Sequence, residues 1–142
     1  MGKTKSPKRL VAGHEAERDE WVAAVEALVA EVEGWASGWQ DWATRRVPKT
    51  ISEDPIGTYT VPQLIMQCPA GRMLLDPVSR YVAGDRSGLI DLYAMPSFDA
   101  ARLVRDNGVW GIHLFLTKKP VRRKWTERAF LKTAAELFEF NG

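Results

Sequence analysis

Seven large or branched apolar residues near the start of the chain, Trp21, Val25, Leu28, Val32, Trp35, Trp39 and Trp42, follow one another at alternating spacings of four and three. That spacing marks one face of an α-helix. Val22, Val29 and Ala36 widen the stripe to the breadth of a helix packed on a domain core. Glu15, Glu17, Asp19 and Glu20 stand at the expected start, and Arg45 and Arg46 at the expected end, where each sign complements the helix dipole. Pro48 disfavours helical geometry at the residue before it, so the pattern predicts a long amphipathic helix over 15–46. Gly34 and Gly38 would each cost about 1 kcal/mol relative to alanine inside it. Either another backbone approaches the strip they clear, or the helix bends or frays there.

Beyond the stripe the period changes. Residues 47–57, rich in Pro, Ser, Asp and Gly, read as a loop, and strand signals follow at 58–67, 72–75, 79–83, 88–94, 101–105 and 109–116. Turns at 68–71, 76–77, 84–88 and 96–97 separate them, and Asn107-Gly108 tolerates the positive φ of a two-residue hairpin turn. Segment 97–105 also fits a helical turn capped by Ser97, and Pro62 marks its strand as an edge or as bulged. A basic loop over 117–124 precedes a final helix over 126–140, with Phe130, Leu131, Ala134, Leu137 and Phe138 on one face. The expected class is α+β: a long N-terminal amphipathic helix, an antiparallel β-meander of about five to six strands, and a short C-terminal helix.

A chain of 142 residues suits one domain, expected over 14–142 behind a disordered basic tail, 1–13, that carries four bases and no acid. Segment 14–46 holds three bases against eight acids, so the net charge of +2 conceals an uneven distribution. So small a total gives no strong field for steering nucleic acid. No run of about 18 apolar residues could span a bilayer, and Cys68 is the lone cysteine, which excludes an internal disulfide and fits the cytoplasm.

Chemical motifs are scarce. One cysteine and two histidines fall short of the four ligands of a structural zinc site, and neither a phosphate loop nor a nucleophile elbow occurs, so no cofactor is expected. His113 alternates with Ile112 and Leu114 and should face away from the core. Asp76, Asp85 and Asp91 flank a predicted hairpin and could converge on a divalent cation as an enzyme site does. The structural account pairs Asp91 with Arg80 across that hairpin. Two surfaces remain as binding candidates. Trp35, Trp39 and Trp42 offer aromatic area for a partner protein or for self-association. Lys118, Lys119, Arg122, Arg123 and Lys124, with Trp125 beside them, could hold nucleic acid, unless Trp125 instead covers the apolar face opened by Phe130 and Leu131. The composition points to a small soluble binding or protein-interaction module that is not an enzyme, with nucleic-acid association as the alternative and a metal-dependent enzyme behind it.

Overall fold

The computed structural model describes residues 13–81, 88–116 and 118–139. Helix α1, Glu15–Ala36, is followed by seven strands: β1 Ala43–Glu53, β2 Gly57–Cys68, β3 Gly71–Ser79, β4 Gly88–Met95, β5 Ala100–Asp106, β6 Val109–Leu114 and β7 Val121–Lys124. Helix α2, Glu127–Glu139, closes the order. Each strand pairs antiparallel with the next, so the sheet order is the sequence order, as short connections require. The class is the expected α+β meander between two helices, with seven strands in place of five or six.

Trp21, Val25, Leu28, Val29 and Val32 on α1 and Phe130, Ala134 and Leu137 on α2 are buried against the inward residues of the sheet. These include Met73 and Leu75 of β3, Ile90 and Leu92 of β4, Leu103 of β5, and Ile112 and Leu114 of β6. Strand period two then turns the intervening residues away from the helices. His113 is one of these, with Ile112 and Leu114 buried on the other side.

Helix α1 ends at Ala36, ten residues before the expected end at 46 and six before the last residue of the stripe, Trp42. Ser37 bonds back to the Gly34 carbonyl through Oγ at 2.7 Å, Gly38 follows, and Asp41 takes a positive φ of 65° that turns the chain into β1. Gly38 therefore belongs to a helix exit. A Cβ on Gly34 would meet nothing within 4 Å, so no backbone approaches there. The expected loop 47–57 is mostly β1, whose proline stands opposite another, Pro48 against Pro62. Neither can donate to a ladder, and β2 pairs with β3 only from Leu64 onward. Strand β2 is thus internal beyond Leu64 and behaves as an edge at Pro62. Its buried residues switch there from Tyr59 and Val61 to Leu64 and Met66, and Ile56, between β1 and β2, is buried in the core.

The expected turn at 76–77 is absent, and residues predicted as two strands merge into β3. Pro77 lies past the last β2–β3 pair, and its missing donor is accommodated beside an irregularity in register between Pro77 and Ser79. Of the expected strand 79–83, Ser79 ends β3, Arg80 and Tyr81 are not strand, and 82–83, like the turn at 84–87 and the basic tail over 1–12, lie outside the described residues. Segment 97–105 is strand from Ala100, without a helical turn, and Asn107 and Gly108 have φ of 53° and 77° at the β5–β6 hairpin tip. The basic stretch is a loop only to Pro120, after which Val121–Lys124 pairs with β6 as an edge strand.

Two glycines should answer opposite ways to alanine. Gly34→Ala removes a helix penalty with nothing to collide with, and should raise stability by about 0.5 to 1 kcal/mol in urea unfolding. Gly88→Ala would place Cβ 2.1 Å from the Trp21 ring and should cost at least about 1 to 3 kcal/mol.

Candidate functional site

The register aligns a polar row across the sheet face turned away from the helices. Asp76 stands opposite Asp91, Asp91 opposite Arg102, Arg102 opposite His113, and His113 opposite Arg122. The row begins acidic and ends basic. Asp76 accepts hydrogen bonds from Lys49 Nζ at 2.7 Å and Gln63 Nε2 at 2.8 Å. Asp91 is 9% exposed. Its Oδ2 accepts from the Tyr93 hydroxyl at 3.2 Å, and its Oδ1 lies 3.5 Å from Arg102 Nε. Burial holds the Asp91 carboxyl above its ordinary range despite the Arg102 guanidinium, and the Asp76 charge adds to that rise.

The expected Arg80–Asp91 pair does not form. Because β3 continues through residue 76, Asp76 takes the place opposite Asp91, and Arg80 lies 3.4 Å from Glu17 on α1. Bonds from Tyr81 and His14 lower the Glu17 carboxyl, while burial and Glu17 itself push the Tyr81 hydroxyl up to about 12. Of the three acids considered for a metal, Asp85 lies outside the described residues, and Asp76 and Asp91 already meet cations. Among the described residues no group of three His, Cys, Asp or Glu side chains is placed to hold a metal ion.

At its basic end the row opens into a groove of about 610 Å³ whose lining includes Val104, Val109, Gly111, His113, Arg122 and Lys124, with Asp106 at the Asn107 turn. Gly111 stands opposite Lys124, so no side chain fills the floor between them. Burial and the neighbouring Arg122 charge lower the His113 pKa, which favours the neutral ring. Arg102, Arg122 and Lys124 are exposed. Phe98 and Phe115 are 63% and 56% exposed; Phe98 meets the Tyr93 ring edge-on, and Phe115 directly follows β6.

The residues singled out from sequence divide between two places. Arg123 points to the helix side, donating to Thr133 Oγ1 at 2.7 Å and Glu136 at 2.9 Å, which fastens β7 to α2 and lowers the Glu136 carboxyl. Trp125 donates its ring N–H to Glu31 at 2.7 Å and packs 5.2 Å from Trp35 and 5.8 Å from Phe130. Trp39 lies 5.9 Å from Phe130 and 4.8 Å from Trp42, and donates to Glu127 at 2.9 Å. Trp35, Trp39, Trp42 and Trp125 thus form one half-buried aromatic joint between the end of α1 and the start of α2. Lys118 and Lys119 remain on the exposed loop before β7. Arg102, Phe98 and Phe115 were not selected from sequence. The signal for Arg102 was its outward place in a strand predicted at 101–105, opposite His113 across the Asn107-Gly108 turn.

No family model, curated protein or solved structure matches this chain. No helix among the described residues is long and apolar enough to cross a membrane.

Asp91 gives a pH test. With its folded pKa raised, it contributes stability at low pH that is lost as pH rises through the folded pKa. Asp91→Asn should therefore be at least as stable as the parent at pH 7, and the advantage should shrink as pH falls toward the ordinary carboxylate range. Thermal melts across that interval measure it. A variant that loses more ground at pH 7 than at low pH would refute the assignment.

Proposed function

We propose that this protein is a binding module without catalytic activity, whose sheet face away from the helices receives an acidic segment of a partner protein. The observation that carries the reading is the line of Arg102, His113 and Arg122 on three neighbouring strands, with Lys124 one row away and exposed Phe98 and Phe115 on the same molecule. Arginine and aromatic side chains are what protein interfaces enrich, and here they accompany a basic groove. Support for the non-catalytic part comes from Asp76 and Asp91, each already engaged by neighbouring side chains, Lys49 and Gln63 for the first and Tyr93 for the second.

Nucleic-acid association, the alternative drawn from the basic stretch, would require Trp125 and Arg123 to leave Glu31, Phe130 and Glu136. A second protein-binding reading uses Trp35, Trp39 and Trp42, and what favours it is that all three rings stay half-exposed.

A labelled acidic peptide should bind the protein with an affinity that falls as salt rises. Replacing both Arg102 and Arg122 by Ser should weaken it about tenfold, a change of about 1.4 kcal/mol. Tighter binding to a single-stranded oligonucleotide than to the peptide would favour the nucleic-acid alternative instead.

A further inference from the structure

Strand β7 ends the sheet and pairs on one side alone. Among the described residues, no backbone hydrogen bond from elsewhere in the chain reaches Val121–Lys124 along its other side. Such an edge is a template for an added strand. Its side chains alternate by the register: Val121 and Arg123 stand opposite Leu114 and Ile112 on the helix side, while Arg122 and Lys124 stand opposite His113 and Gly111 on the far side. On the helix side, next to this edge, lies a cavity of about 280 Å³ walled by Leu114, Leu116 and Val121 together with Lys119, Arg123 and the α2 acids Glu136 and Glu139, of which Glu136 is held by Arg123. It has room for one large apolar side chain.

We propose that β7 accepts an extended acidic segment of a partner protein as an additional strand, a mode of recognition that rests on the binding reading above and specifies it. Main-chain bonds along β7 would supply affinity, and the period-two alternation would set the sequence read. Acidic residues of the incoming strand meet Arg122 and Lys124, and the apolar residue between them stands beside Arg123 on the helix side, where the cavity lies. A second copy of this chain is the wrong occupant. Its β7 would bring Arg122, Arg123 and Lys124 against the same residues, and its other edge, β1, brings Arg45, Arg46 and Lys49 around Pro48. Like charges face each other in either pairing, and Pro48 interrupts the second.

The test uses the full chain and a labelled peptide of alternating Glu and Val, with two N-methylated forms that block alternate sets of backbone N–H groups without changing charge. The parent peptide should bind and slow amide hydrogen exchange in residues 121–124. Methylation in one frame should weaken binding at least about tenfold and in the other much less, because only one set of amides faces β7. If both methylated forms bind as tightly as the parent, strand addition is overturned while attraction to the basic face stands. If no form binds, the binding reading fails and strand addition fails with it.

Discussion

Trp21 sits where four parts of the structure meet, and the rest depends on how that ring is seated. It is fully buried, lies against Gly88 at the start of β4, and packs 6.0 Å from Trp110 on β6. Its N–H donates to the Tyr59 hydroxyl at 3.1 Å, Tyr59 donates to Glu53, and Glu53 accepts from the backbone N–H of Arg80 at 2.8 Å. Burial and the Glu53 charge push the Tyr59 hydroxyl far above its ordinary range, so it stays protonated and keeps donating. Each polar group in this chain would be costly to bury alone, and the sequence of bonds removes that cost while fastening the β1–β2 ribbon to α1 and the end of β3.

Once α1 is fixed there, its acids decide which cations remain for other uses. Glu20 holds Arg105, Glu17 holds Arg80, and Glu26 and Glu33 together hold Arg46. On α2, Glu136 takes Arg123. The acidic block at the front of the sequence is therefore matched by bases on or near the helix side. Arg102, Arg122 and Lys124 point the other way, where among the described residues Asp91 pairs with Arg102 and Asp106 lines the groove shared with Arg122 and Lys124. A near-zero net charge is thus compatible with a locally basic face, because the helix acids are already matched by bases beside them.

The sequence was readable where one periodicity acted alone. The buried residues of α1, the Asn107-Gly108 hairpin and the alternation around His113 all follow from local spacing. The stripe misled at Trp39 and Trp42, which keep heptad spacing although the helix has ended; Trp39 is held by its ring contact to Phe130, a residue remote in sequence, and Trp42 packs on Trp39. Strand β1 was concealed by Pro48, a residue expected to mark a loop, and β7 by four residues of which three are bases, a composition shared by solvated loops and protected edge strands. Asp76-Pro77 read as a turn, yet on the open side of β3 a proline costs the ladder nothing. For the site, charge and exposure were legible at Arg122 and Lys124, while the opposition of Arg102, His113 and Arg122 depends on two registers, of which only the one set by the Asn107-Gly108 turn is local.

The exposed bases of the sheet face lie apart from the aromatic joint engaged within the fold, and the proposed partner would meet the former. Two-dimensional amide spectra of the labelled protein, which also report the indole N–H of each tryptophan, distinguish the two directly. Adding the acidic peptide should shift the backbone signals of Arg102, His113 and Arg122 and leave the indole signals of Trp39 and Trp125 in place, since those donate to Glu127 and Glu31. Movement of the indole signals with the sheet signals unchanged would contradict the account and place the binding surface on the tryptophans.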